Sequence, residues 1–144
     1  MNNSASNRFI LMLEDDNDRL ARFNTVLSDI DGLKFENWKT ADGFIGGYSR
    51  CVDGALPDLI CLDHDLFPEN EADPDPGDGR DVAEYLATQA PNCHVVIHSS
   101  NAVAADSMFF TLEDAGWSVE KIAPLGRRWV EDYWWPTIQR WLDK

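Results

Sequence analysis

Positive charge is scarce in this chain. Twelve Lys and Arg residues stand against 26 Asp and Glu, a formal net charge of −14 at pH 7. Such a chain repels phosphate backbones and anionic membranes at long range, which argues against extended nucleic-acid binding. A small phosphorylated substrate or a nucleic-acid end stays accessible, because one metal ion offsets the repulsion locally. Long apolar runs are also missing. Nothing approaches the roughly 20 residues that span a bilayer, and Met1 to Asn7 is polar, with no secretory apolar core. A soluble, cytoplasmic protein without membrane contact is expected, with residues 1–7 as a polar N-terminal tail. Cysteine is sparse: Cys51, Cys61 and Cys93 are odd in number and sit at no zinc-ligand spacing. The last two fall in or beside strand-like runs and read as reduced core thiols.

What is present suits one packed domain. Hydrophobic residues make up 44% and aromatics 11% of 144 residues, too apolar for disorder and of a length that one core can serve. A single domain over 8–144 is expected. Phe9 to Leu13 is an apolar run that ends in Glu14, Asp15 and Asp16, which open a helical stretch with Leu20, Phe23, Val26 and Leu27 on one face. After Gly32, Leu33 to Trp38 reads as a strand, and Ala41 to Cys51 as a helix weakened by Gly46 and Gly47. Asp58 to Leu62 is a nearly continuous apolar run of the kind buried on both faces of a parallel sheet. Phe67 to Gly79, rich in Pro, Asp and Glu, reads as an exposed loop without the Gly-centred spacing of an EF-hand.

Helical spacing resumes from Asp81 to Ala90, His94 to His98 forms a fourth apolar run, and a helix through Val103, Met108, Phe109 and Leu112 follows to Gly116. Val119 to Ile122 is a short fifth strand stopped by Pro124. Trp129 to Leu142 closes as an aromatic-rich helix that Pro136 kinks or restarts. Strands and helices in alternation predict an α/β fold with a parallel sheet and right-handed crossovers.

Ligands in such sheets bind beyond the carboxyl ends of the strands. Here the first strand ends in Glu14-Asp15-Asp16, the third in Asp63-His64-Asp65 and the fourth in Ser99-Ser100-Asn101. If the first and third are neighbours, their acids converge, and uncompensated charge there costs several kcal/mol unless a cation is present. An all-oxygen pocket without cysteine suits Mg²⁺. Taken singly, Asp15, Asp16, Ser99 and Asn101 read equally well as helix caps; the pocket reading rests on polar clusters at several strand ends together.

The segments LMLEDD (Leu11 to Asp16), PDLICLD (Pro57 to Asp63), Gly79 to Asp81, the strand ending at Ser99 and the Ala115-Gly116 pair together resemble a response-regulator receiver domain over nearly the whole chain. The resemblance implies a doubly wound, five-stranded parallel sheet in the order 2-1-3-4-5. It also implies Asp63 as phosphoacceptor, Glu14, Asp15 and Asp63 as metal ligands, and Ser99 as the hydroxyl residue. Receivers carry a lysine just before the proline that ends the fifth strand, whereas here Ala123 precedes Pro124 and Lys121 lies earlier. The LDHDL and IHSSN segments look like the divergent cyclic-phosphate processing receiver group. That likeness implies a Mg²⁺-dependent enzyme acting on a cyclic or terminal phosphate, with Asp63, His64, Asp65 and His98 catalytic and Ser99, Ser100 and Asn101 on the phosphate. Asp63-His64-Asp65 also looks like the first motif of haloacid-dehalogenase phosphatases. Leu66 replaces their threonine and the motif does not open the chain, so this reads as convergence.

Histidine beside a carboxylate suits proton transfer near neutral pH. His64 follows a strand end; His98 lies inside its strand and reads equally as a hydrogen-bonded core residue. Trp129, Trp134, Trp135 and Trp141 read first as packing on the sheet and second as a surface for a protein partner. Arg127, Arg128 and Arg140 read first as local ion pairs and second as phosphate ligands. Three functions thus stay open: phosphoesterase, signalling receiver, and non-catalytic interaction module. If the acids converge, Mg²⁺ binds the folded chain only, and at about a hundred times its Kd it adds roughly 2.7 kcal/mol. Melting curves at pH 7.5 are expected to shift upward by several degrees with Mg²⁺, the shift fading below pH 5 and mostly lost in Asp15→Asn; indifference to Mg²⁺ would show that the acids are apart.

Overall fold

A computed structural model describes residues 8–143; the expected tail over 1–7 lies outside the described residues. The elements are β1 (Phe9–Leu13), α1 (Asn17–Leu27), β2 (Lys34–Trp38), α2 (Ala41–Val52), β3 (Leu59–Leu62), α3 (Gly79–Ala87), β4 (His94–Ile97), α4 (Ala102–Asp114), β5 (Ser118–Lys121) and α5 (Trp135–Leu142). All strand pairs are parallel, in the order β2-β1-β3-β4-β5. Every residue of the three inner strands is buried, while Lys34 in β2 and Ser118 and Lys121 in β5 are exposed at the edges.

Strand alternation divides the core into two layers. Leu11, Leu13, Ile60, Leu62, Val95 and Ile97 face α2, α3 and α4, where Phe44, Tyr48, Leu86 and Met108 cover them. Ile10, Met12, Leu59, Cys61 and Val96 face the other way, under Phe23 and Leu27 of α1 and Trp134, Ile138 and Leu142 of the C-terminal segment. Trp129 and Trp134 are buried in this second layer, so the aromatic C-terminus is first of all the lid of the core. A π-helical turn, Val130–Trp134, precedes α5. Pro136 falls one residue into α5, and the helical backbone runs on through the π-helical turn into α5 without a break, with the Trp135 N–H bonded to the Val130 carbonyl.

Two local departures have clear causes. Helix α2 carries a glycine at 47 because the Trp38 indole fills the place of a side chain: a Cβ there would lie 2.5 Å from Trp38 Nε1. Helix α3 begins at Gly79, ahead of the apolar spacing from Asp81, because Asp78 and Asp81 form a reciprocal capping box. Cys51, Cys61 and Cys93 are free, with Cys61 fully buried. No helix among the described residues is long and apolar enough to cross a membrane.

The loop after β3 returns to the sheet mouth at Gly79, whose N–H donates to the His64 carbonyl at 2.9 Å. A Cβ at Gly79 would sit 2.2 Å from the Asp63 carbonyl oxygen and 2.9 Å from His64 Cα. Neither atom is a flexible side-chain end, so the backbone itself must yield. Gly79→Ala is expected to lower unfolding free energy by about 1–3 kcal/mol in denaturant titrations; an unchanged midpoint would mean the loop gives way freely.

Candidate functional site

The site is set by strand register. Leu13 pairs with Leu62, and Leu62 with Ile97, so the next residue of each strand, Glu14, Asp63 and His98, falls in one row across the mouth of the sheet. Alternation turns all three toward the layer that holds α1 and Trp129. One oxygen each from Glu14, Asp15 and Asp63 lies within 4.8 Å of the others. Asp15, Asp16, Arg19, Asp63, Asp65, Phe67 and Ser100 line a hollow of about 200 Å³ at this point.

Glu14 is fully buried and heavily engaged. Its Oε2 accepts the Asp15 and Asp16 N–H groups, both at 3.0 Å, and its Oε1 accepts from His98 Nε2 at 3.0 Å. Burial pushes this carboxyl up, but His98, the Asp16 N–H and Arg19 outweigh it and hold it below the usual carboxylate range. Asp63 goes the other way. Burial, then the charge of Glu14, push it up to about 8, against the His64 N–H and Arg19. Asp15 is also raised, by burial ahead of the Glu14 charge, although its Oδ2 accepts the Phe67 N–H at 2.7 Å. The donors are all oxygens, and a buried carboxyl here keeps its proton near neutrality because burial and the Glu14 charge outweigh Arg19. Both features fit a hard divalent ion, with Asp15 and Asp63 the freer ligands and Glu14 behind them.

The other predicted site residues separate. His98 is fully buried, its ring against the edge of Phe23 at 5.3 Å and stacked on Trp129 at 6.0 Å, with Nδ1 unpartnered; it is the hydrogen-bonded core histidine. His64 sits one step past Asp63, so alternation turns it to the opposite layer. Its Nδ1 meets Asp65 Oδ1 at 2.6 Å and its Nε2 lies 3.6 Å from Asp78, an acid that sequence reasoning missed. Neither histidine lines the acid hollow. Ser99 is buried, and its Oγ accepts the Asn101 N–H at 3.0 Å. Ser100 is the serine that opens onto the acids. Asn101 caps α4 through the Ala104 N–H at 3.1 Å and reaches Asp65 at 3.4 Å. Asp16 caps α1.

Arg19 is a second residue that sequence reasoning missed. Its Nη1 lies 3.7 Å from Glu14 Oε1 and 3.6 Å from Asp63 Oδ2. In the sequence it is one cation on an amphipathic helix, indistinguishable from a solvated one. Arg128 pairs with Asp132 at 3.5 Å and Arg140 approaches Glu120 at 4.0 Å, the local ion pairs expected of them.

A parallel sheet in this order, with clustered acids at the ends of β1 and β3, defines a receiver-type domain. More particularly, the chain belongs to the Cyclic-phosphate processing Receiver domain family, whose profile matches residues 10–114. Among solved structures, the phosphorylated cyanobacterial phytochrome response regulator RcpA is 18% identical at a TM-score of 0.68, covering 95% of this chain and 94% of its own. A response regulator in its Mn²⁺-bound form is 17% identical at 0.60, covering 90% and 96%. The response regulator domain of Thermotoga maritima CheB is 12% identical at 0.61, covering 95% and 97%. At these identities the likeness establishes the fold. No curated protein matches the sequence.

The raised Asp63 carboxyl has a consequence for pH. Unfolded, the group titrates near 4; folded, near 8. Between these values the folded chain holds a proton that the unfolded chain gives up, so Asp63 lowers stability as pH rises through the window. Glu14, held low, adds stability that is lost only on the acid side of the ordinary carboxylate range. Metal-free protein is expected to lose melting temperature from pH 5 to pH 8, with Asp63→Asn flattening the curve. Because a cation replaces the Asp63 proton, the Mg²⁺ effect should fade already as pH falls below 8, earlier than the acids' ordinary pKa values imply. A flat metal-free profile in the wild type would contradict the burial of an ionisable Asp63.

Proposed function

We propose that this chain acts as a receiver, with Asp63 taking up a phosphoryl group beside a divalent cation such as Mg²⁺ held by Asp15, Asp63 and Glu14. The observation that carries this reading is the placement of Asp63. Its carboxylate lines the acid hollow, while His64 and His98, the groups that hydrolysis would need for proton transfer, are withdrawn from it. Phosphoryl uptake from an acyl phosphate needs no such donor. An Asp63 oxygen attacks phosphorus, the bond from phosphorus to the carboxylate oxygen of the donor breaks, and the donor leaves as a carboxylate with no proton to collect. The cation, when bound, neutralises the acids and the entering phosphoryl oxygens. Asp15 and Asp63 orient it, Glu14 is fixed by its two backbone N–H bonds and His98, and Ser100 borders the space that phosphoryl oxygens enter. The donor would be a small acyl phosphate or a phosphorylated protein partner.

A second reading takes its cue from the family's name, cyclic-phosphate processing, and makes the chain a Mg²⁺-dependent phosphoesterase on a cyclic or terminal phosphate of a nucleotide or RNA end. The hydrogen bond between His64 Nδ1 and Asp65 favours it, since a carboxylate orients an imidazole for proton transfer. Ser99 and Asn101 would then bear on phosphate oxygens only after release from their present bonds. Acetyl phosphate with Mg²⁺ separates the two. An acyl phosphate on the wild type, lost in Asp63→Asn and on chelation of the metal, is the expected result. No label, together with turnover of nucleoside 2',3'-cyclic phosphates by the wild type but not by Asp63→Asn, would transfer the case to the phosphoesterase.

A further inference from the structure

The acid hollow holds one cation whose hydrogen-bonding capacity is unspent. Among the described residues lining it, Arg19 is the only one that carries positive charge. Its guanidinium lies at ion-pair range from Asp63 and Glu14, 3.6 and 3.7 Å, beyond hydrogen-bond length, so its five N–H donors are uncommitted to either. Two other lysines are spent elsewhere: Lys121 pairs with Asp106 on the exposed flank of α4 and Lys39 is held by Asn17 and Glu69, while Ala123 holds the position before Pro124 where a receiver has its lysine.

Arg19 is also held in place. Its guanidinium lies over the Trp129 ring, 5.4 Å from the centroid, and that ring is itself buried and stacked on His98. Arg22, one turn further on, lies over the same ring at 6.0 Å and is tied to Glu131 at 2.9 Å. The buried ring thus supports the guanidinium while its Nη1 stays 3.6 Å from Asp63 Oδ2. A planar guanidinium matches two oxygens of a tetrahedral phosphoryl group at once, which an ammonium does not.

We propose that Arg19, seated on Trp129, is the phosphoryl-binding cation of this site, supplying from α1 the positive charge that receivers supply from the end of the fifth strand. This rests on the reading of Asp63 as the group that meets phosphate. The arginine screens the acids when no anion is present and turns its donors to phosphoryl oxygens when one enters beside the divalent ion.

The test titrates Mg²⁺-loaded wild type, Arg19→Gln, Arg19→Lys and Lys121→Gln with inorganic phosphate by calorimetry, and incubates each with acetyl phosphate. Circular dichroism checks folding, and a Mg²⁺ titration without anion isolates the cation site. Arg19→Gln is expected to bind phosphate about tenfold or more weakly, the loss that fits a charge-assisted hydrogen bond, and to be labelled correspondingly slowly. Arg19→Lys should fall between, Lys121→Gln should match the wild type, and Mg²⁺ alone should bind Arg19→Gln at least as tightly as the wild type. Equal phosphate affinity in wild type and Arg19→Gln, a loss in Lys121→Gln instead, or no phosphate binding to the wild type would overturn the proposal. If acetyl phosphate labels none of the proteins while Arg19→Gln still loses phosphate binding, the phosphoacceptor reading fails and the Arg19 site stands.

Discussion

Like charges forced together at the mouth of the sheet govern this protein. Two carboxylates about 4–5 Å apart repel by roughly 3–4 kcal/mol at an effective dielectric of about 20. Parallel register leaves Glu14 and Asp63 no way to separate, because each is the next residue after a buried, paired strand end. The fold answers unequally. Glu14 is held ionised by two backbone N–H groups and His98, and burial, with the settled charge of Glu14 behind it, raises Asp63. One acid is fixed so that its neighbour remains responsive, and a cation or a proton must complete the balance.

That balance extends into the core. His98, Phe23 and Trp129 pack as one aromatic group under the acid row, and Arg19 closes over it from α1. The α1 layer therefore carries the electrostatics, and the opposite layer carries His64 with its Asp78 contact at the start of α3, while Asp65 lines the acid hollow and bonds His64 Nδ1 from there. The sheet separates two groups of residues that lie side by side in the chain. Asp63 and His64 are neighbours in sequence yet turn to different faces, with Asp65 between the acid hollow and the His64 ring.

The expected protein partner finds a modest basis in the C-terminal segment. Trp129 and Trp134 are consumed by the core, and the apolar side chains left outside nearby are Tyr133 and Leu125. Their exposure reflects the edge position of β5 and the turn of chain before α5.

Fold class, strand order and the identity of the acids were legible in the sequence. Fold class and the acids rest on local rules, namely period-two burial, turn residues and acids directly after apolar runs, whereas the strand order follows from the receiver resemblance that LMLEDD and PDLICLD carry. Glu14, Asp15 and Asp63 were readable as a cluster because parallel register converts strand ends into neighbours. The Arg19 site, the burial of His98 against Glu14 and the diversion of His64 to Asp78 were not readable. Each depends on which face a side chain takes and on what packs there from residues distant in sequence: Trp129 beside Arg19, Glu14 beside His98, Asp78 returning beside His64. Residue types and spacing determine where charge is placed along a chain; only the packed layers decide which opposite charge, ring or proton meets it, because those contacts form across the fold between elements whose sequences carry no mark of one another.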